Sequence, residues 1–135
     1  MKQHDSVLTD TRAFGSFSVD DVDKARRFYR DTLGLDVTDD RMGGLELDVG
    51  EGNKVFLYPK PNHEPATFTV LNFPVSDVET AVDRLTSLGV RFEHYQNLNG
   101  ITTNEKGIAS DGNGPDIAWF KDPAGNILSV LSRAD

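Results

Sequence analysis

The chain repeats itself, and the repeat constrains its fold more than any single motif does. The segment VDDVDKARRFYRDTLGLDV, Val19 to Val37, lies over VSDVETAVDRLTSLGVRF, Val75 to Phe92. Val19 matches Val75, Asp21 matches Asp77, Val22 matches Val78 and Ala25 matches Ala81, all 56 residues apart. After a one-residue deletion, Leu33-Gly34 matches Leu88-Gly89. With 135 residues in all, the chain is long enough for one compact domain or for two half-domains too small to be stable apart.

Each copy reads as strand, helix, strand. Val22, Ala25, Tyr29 and Leu33 recur at helical spacing, as do Val78, Ala81, Val82, Leu85 and Leu88, and each set predicts one buried stripe. Asp20 or Asp21 suits the cap of the first helix, and Ser76 with Glu79 forms a capping-box pattern for the second. Gly34 and Gly89 stand where a residue of positive φ stops a helix. Ala13 to Val19 and Thr67 to Phe73 predict the strands before the helices. GLELDV, KVFLYP, RFEHY, DIAWFK and NILSVL predict others, being rich in β-branched and aromatic residues and bounded by turn formers. The order is βαβββ twice: module one over about 12–60, a linker over 60–66, and module two over about 67–133. Thr38 to Gly43 reads as a turn, and the Gly-rich run Asn97 to Pro115 fits no element. A connection that long in a compact domain is often a lid or a binding loop.

Composition narrows the chemistry. Asp and Glu number 22 against 14 Lys and Arg, a formal net charge of −8. Such a surface repels phosphate backbones and anionic headgroups, so neither nucleic acid nor membrane is an expected partner. With no cysteine, disulfides, thiolate zinc sites and cysteine nucleophiles are excluded together. Any metal therefore needs His and carboxylate ligands. The opening MKQHDSVLTD has no apolar signal region and no stretch approaches a membrane span, which points to a cytoplasmic protein. GEGN sits between two strands rather than before a helix, so it is no phosphate loop. No serine lies in a nucleophile-elbow sequence, and the strand map supplies no His partner for one.

SVDDVDKARRFYRDTLGLDV and WFKDPAGNILSVL, set in a doubled βαβββ pattern from about Ala13 to Leu131, resemble the vicinal oxygen chelate superfamily. This is the glyoxalase, bleomycin-resistance and extradiol-dioxygenase group. The resemblance implies an α+β fold in which two tandem βαβββ modules curl into a mixed sheet around an open trough, often completed by a partner in a homodimer. It also implies, for the enzymes of the family, a divalent metal held by one side chain from the first and one from the last strand of each module. Carried onto this chain, those four positions are Phe14, Phe56, Val70 and Ser129. They cannot together ligate a divalent cation. Their neighbours Gly15, Leu57, Leu71 and Leu128 are no better and point to the other face. His4 lies in a polar tail, His63 in the linker and His94 in RFEHY. The expectation is no metal and no cofactor.

Strand parity then says what lines the trough. Phe14, Ser16, Phe56, Tyr58, Val70, Asn72, Ser129 and Leu131 share the inward face, while Phe17, Val19, Phe73 and Val75 pack under the helices. An apolar, aromatic trough with a few hydroxyl and amide groups is the usual make-up of a small-molecule pocket; the same aromatics also suit a plugged core. Trp119, the only tryptophan, suits either packing or a stacking surface for a planar or cationic ligand. Glu46 and Asp48 alternate with Leu45, Leu47 and Val49 as on an exposed strand face, though their parity also fits the trough. Glu105 and Asp111 read as solvated loop acids that could screen a cationic ligand. The expected ligand contacts are Phe14, Ser16, Phe56, Tyr58, Val70, Asn72, Trp119 and Ser129. The residues favour a metal-independent protein that sequesters an amphipathic aromatic or cationic small molecule over an enzyme. A lyase- or isomerase-like enzyme using Ser129, Asn72, Tyr58 or His94 for proton transfer, and an orphan dimerisation module, are the alternatives.

Overall fold

The computed structural model describes residues 6–9, 11–110 and 114–133. Two four-stranded sheets carry the fold. In chain order the first module holds β1 (Gly15–Val19), α1 (Val22–Arg27), β2 (Asp36–Asp39), β3 (Leu45–Asp48) and β4 (Lys54–Pro59). The second holds β5 (Thr69–Val75), α2 (Val78–Ser87), β6 (Ile108–Ala109), β7 (Ile117–Lys121) and β8 (Ile127–Ser132). The strand orders are β1-β4-β3-β2 and β5-β8-β7-β6, so the repeat read in the sequence is a repeat of topology. In each sheet the first strand runs parallel to the last and the other pairings are antiparallel.

Both helices start on aspartate. Asp21 accepts from the Lys24 N–H at 3.1 Å and Asp77 from the Thr80 N–H at 3.3 Å, each satisfying a donor the helix leaves open. The cap of α2 is thus Asp77, one residue beyond the Ser76 of the capping-box pattern, and it stands 56 residues after its counterpart. Gly34 and Gly89 have φ of 76° and 101° where the helices end. The one-residue difference between the copies is absorbed between these fixed ends. After Arg27 the first helix widens into a π-helical turn over Phe28–Thr32, while α2 stays α-helical.

Val19, Ala25, Tyr29, Leu45, Leu47 and Leu57 from the first module, and Val78, Val82, Phe92, Ala118, Phe120, Leu128 and Val130 from the second, form one continuous buried cluster. Phe17, Phe73 and Val75 pack against it, as parity requires. Leu88, by contrast, is 48 % exposed. It lies past the end of α2, where the helical stripe no longer dictates which way a side chain faces.

The second module departs from the expected strands in one place. Phe92 bridges Phe120 and the Glu93 N–H donates to the Trp119 carbonyl, but the chain then leaves the sheet. It returns at Ile108, which pairs with Ala118, the next residue along β7. RFEHY is therefore half a strand, and its other half, β6, lies inside the run that fitted no element. Residues 94–107 form a hairpin of their own. Tyr95 and Thr103 bond each other, as do Leu98 and Ile101, across an Asn99-Gly100 turn in which both φ are positive (52° and 82°). That is the geometry an Asn-Gly pair favours. Lys106 ties the hairpin to α2 through Glu79 at 2.8 Å and Asp83 at 3.0 Å. The expected turn Thr38 to Gly43 is likewise shorter, since Thr38 and Asp39 continue β2.

Candidate functional site: two equivalent concave faces

Pleating sends one set of side chains from each sheet into the core and the alternate set to the opposite, concave face. Register reads off the concave rows. In the first sheet Ser16 stands beside Phe56, Phe56 beside Glu46, and Glu46 beside Thr38. In the second, Asn72 stands beside Ser129 and Ser129 beside Trp119, with Glu93 on the far side of Trp119. The rows are related by the repeat. Ser16 corresponds to Asn72, Phe56 to Ser129, Glu46 to Trp119 and Thr38 to Glu93. Each face thus carries one aromatic and one carboxylate in its central row, on neighbouring strands.

On the first face Phe14 is 65 % exposed and Tyr58 stacks on Phe56, their rings 6.3 Å apart at 17°. Phe56 does not plug the concavity. Its ring lies against Gly44, where a Cβ would meet the ring at 2.8 Å and the Leu57 carbonyl at 2.5 Å, so only glycine leaves it room. A cavity of about 490 Å³ opens here, with Phe14, Met42, Val49 and Phe56 supplying apolar surface and Asp40, Glu46, Arg12 and Lys54 charge. Lys54 is engaged with Asp48 at 3.4 Å, and Asp48 accepts the Gly50 N–H. Those two contacts, the backbone bond first, hold the Asp48 carboxyl below the usual carboxylate range. Among the described residues the Glu46 carboxylate has no hydrogen-bond or ion-pair partner. The alternating LELDV pattern allowed Glu46 on this face; the register puts it there, beside Phe56.

On the second face Tyr95, from the hairpin, meets Trp119 edge to face at 5.6 Å. Partial burial, then the nearby Glu93 charge, raises the Tyr95 phenol above its usual range. A cavity of about 440 Å³ lies between the hairpin residues Ile101 and Thr102 and the strand residues Ile117 and Trp119. Ser129 is fully buried, and its hydroxyl donates to the Asn72 side-chain oxygen at 2.5 Å. Asn72 is the exposed member of that pair. Val70 sits at a bulge: the register shifts between Thr69 and Leu71, so two residues of β5 stand against one of β8. Parity no longer decides which way Val70 points.

The four positions where the resemblance would put metal ligands therefore hold two phenyl rings, a valine at a bulge and a serine whose hydroxyl is already bonded. That donor set does not fit a divalent cation. Among the described residues no three His, Asp or Glu side chains cluster as a metal site would need. His94 donates to the Glu105 carbonyl at 3.0 Å, while His4 and Asp111 lie outside the described residues. His63 is the surprise of the linker. Ser18, on the concave face next to Tyr58, lies 2.6 Å from His63 Nδ1, and His63 Nε2 lies 3.0 Å from the Ala124 carbonyl. Strand parity could not have found this pair, because one partner comes from outside any strand.

The turn that receives His63 also joins the modules. Asp122 is 4 % exposed and accepts from the Ala124 and Asn126 N–H groups, the Asn126 side chain and the Tyr29 hydroxyl, at 2.7–3.0 Å. Asn126 also donates to the Ser18 carbonyl at 2.9 Å. Tyr29 belongs to the first module, Asp122 and Asn126 to the second. Burial, and then the Asp122 charge, pushes the Tyr29 phenol well above its usual range.

Among the described residues no helix is long and apolar enough to cross a membrane. No curated protein matches the chain. Among solved structures it is similar to the antibiotic-binding protein TnmS3 from Streptomyces sp. CB03234, at 24 % identity and TM-score 0.64, over 93 % of this chain and 99 % of that one. It is similar to the oxidase ChaP-H2 at 21 % identity and TM-score 0.66, over 93 % and 96 %. A glyoxalase family protein from Enterococcus faecalis matches at 17 % identity and TM-score 0.63, over 93 % and 100 %. At these identities the likeness speaks for fold. A sequence profile matches residues 13–130, nearly the whole repeat, and with it the chain belongs to the glyoxalase/bleomycin resistance protein/dioxygenase superfamily.

Proposed function

We propose that the chain is a metal-independent binding protein that sequesters an amphipathic small molecule, aromatic or cationic, on its concave faces. The observation that carries this reading is the central row of the first face. There an aromatic floor, Phe56 with Tyr58 stacked on it, lies beside a Glu46 carboxylate without a partner among the described residues. A flat apolar ligand gains roughly 25 cal/mol for each Å² it buries against such a floor, and a cationic group on it meets the carboxylate. The contacts proposed are Phe14, Ser16, Phe56, Tyr58 and Trp119 directly, Ser129 through Asn72, and Val70 at the rim. The antibiotic-binding relative supports the class of function; the oxidase relative shows that the same fold also serves catalysis. Neither cavity named above draws residues from both sheets, which favours a homodimer in which a second copy closes each face. A cytoplasmic site of action and the absence of a cofactor belong to the same proposal.

Calorimetric titration with ethidium, a planar aromatic cation, and 1-naphthol, a neutral aromatic, both in excess chelator, tests it. Saturable binding without metal is expected. Phe56→Ala should weaken both probes about tenfold or more, and Glu46→Gln should weaken ethidium alone, since about 1.4 kcal/mol is tenfold in affinity. Binding that needs a divalent ion, or that neither substitution affects, sinks the proposal.

A further inference from the structure

The linker places a histidine where the strand pattern offered none. A carbonyl oxygen can only accept, so His63 Nε2, 3.0 Å from the Ala124 carbonyl, carries the ring proton. In the neutral ring Nδ1 is then a bare lone pair, and the Ser18 hydroxyl 2.6 Å away donates to it. This is a nucleophile, a base in hydrogen-bond reach of it, and a third group that fixes the base's tautomer. Both side chains are half-buried, and Ser18 shares the concave face with Tyr58. The Ala124 carbonyl is held in turn by the Asp122 turn, whose backbone is bonded through a nearly buried carboxylate. The histidine is thus anchored on a turn whose backbone is fixed by a nearly buried carboxylate. Ser16, two residues earlier on the same strand and the same face, has no such partner among the described residues.

We propose that Ser18 and His63 form a nucleophile and general-base pair that takes the acyl group of small aryl esters. Ser18 Oγ bonds to the acyl carbon as its proton passes to His63 Nδ1. The bond from that carbon to the aryl oxygen breaks, and the phenolate leaves with the electron pair without needing a proton. His63 then releases its proton to solvent. Water attacks the acyl-serine, giving a proton to Nδ1 while Ser18 Oγ leaves the acyl carbon and is reprotonated from Nδ1, so that a carboxylic acid is released and the pair is restored. Aryl esters are the class that suits the site, because their leaving group makes the least demand on a general acid.

The test uses the whole protein and phenylmethanesulfonyl fluoride, which marks an activated serine permanently by losing fluoride. Fragment mass spectrometry of the peptide carrying both serines reads the ratio of label on Ser18 to label on Ser16. Activation by a positioned base predicts an excess of about 100-fold on Ser18, falling to near parity in His63→Ala. Hydrolysis of p-nitrophenyl acetate should fall in parallel and vanish in Ser18→Ala. Equal labelling of the two serines in the unaltered protein overturns the proposal, and that ratio needs no variant to fold. Labelling of Ser18 that persists in a folded His63→Ala protein also overturns it and leaves the pair as a strap that fastens the linker.

Discussion

The two modules close their last hairpins at equivalent positions with turns that share their outer bond and differ inside it. In the first, the Val49 N–H donates to the Asn53 carbonyl; in the second, the Asp122 N–H donates to the Asn126 carbonyl, both at 3.0 Å. Val49 and Asp122 are equivalent positions; what stands there is one difference, and the positive φ of Gly50 and Glu51, without a counterpart at Pro123 and Ala124, is another. Asp122 turns its carboxylate inward, satisfies four donors in near-complete burial, and reaches across to Tyr29. The first turn places its acid one residue earlier, at Asp48, where it bonds Gly50 and Lys54 in solvent. The outer bond of a turn can therefore repeat while its interior changes: the Asn53 N–H donates to the Gly50 carbonyl in the first and the Gly125 N–H to the Asp122 carbonyl in the second, and only the second holds the halves together.

The largest expected effect breaks that contrast directly. Asp122→Ala strands the Tyr29 hydroxyl and two turn N–H groups away from water, and should cost about 3–5 kcal/mol. Asp48→Ala should leave the melting temperature almost where it is, because an exposed pair is screened. Thermal melts of both variants check the comparison. The same clamp sets a pH limit. The folded state holds the Tyr29 proton more tightly than the unfolded chain, whose tyrosines titrate near 10.0. Its contribution is therefore complete below that pH and is lost as the pH rises through the folded value. Melting temperature should fall as the pH rises above about 10 in the unaltered protein, and less steeply in Tyr29→Phe.

The helices make a second pair. The Leu33 N–H donates to the Phe28 carbonyl and the Leu35 N–H to that of Tyr29; in α2 the Leu88 N–H donates to Arg84 and the Val90 N–H to Leu85. The acceptors correspond 56 residues apart and the donors 55, so each ring in the first helix is one residue larger. The π-turn is the extra residue, stored where it disturbs neither end. Deleting Asp31 should return this helix to α-geometry and change stability by no more than about 1 kcal/mol. Deleting Asp83 swings the rest of α2 by roughly 100°, carries Leu85 off the core, and should cost about 3 kcal/mol or more. Denaturant midpoints of the two deletions separate these outcomes.

What the sequence could convey follows from the range of each interaction. The repeat, the first helix's cap and the paired Gly stops are local or periodic, so the modules and the concave faces were legible, including the placement of Phe56 and, once parity was allowed, Glu46, while Trp119 stayed open between packing and stacking. Three features were not. The split of RFEHY from Ile108 depends on a 14-residue excursion (94–107) that keeps its place in the sheet by returning beside its exit, although the Asn99-Gly100 pair flanked by Leu98 and Ile101 was a hairpin signal within it. The bulge at Val70 is a mismatch between strands far apart in sequence. Ser18 meets His63 over 45 residues, from a linker with no period to place it.

The excursion returns through Gly107, whose φ is 89° and whose missing Cβ would stand 2.9 Å from the Glu93 carbonyl and 3.0 Å from the Phe92 Cβ. Gly107→Ala should cost about 1–3 kcal/mol, through strain and forced separation of the two half-strands. Hydrogen exchange should quicken at Thr103 and Ile108, with Val19 and Leu128 protected as before. Uniform loss of protection would mean that the excursion folds as one unit with the sheet.

The smallest effect returns to the two turns. Glu51 sits at φ 53°, a left-handed conformation that crowds any side chain, while the equivalent Ala124 is not at positive φ. Asparagine tolerates that region because its short side chain bonds locally, so Glu51→Asn should stabilise by a few tenths to about 1 kcal/mol. Ala124→Asn relieves nothing, and should be neutral or harmful in a turn whose backbone is already held by Asp122. Paired thermal melts distinguish the two. If both substitutions raised the melting temperature alike, backbone strain would not be what separates the turns, and the difference would rest on the Asp122 carboxylate alone.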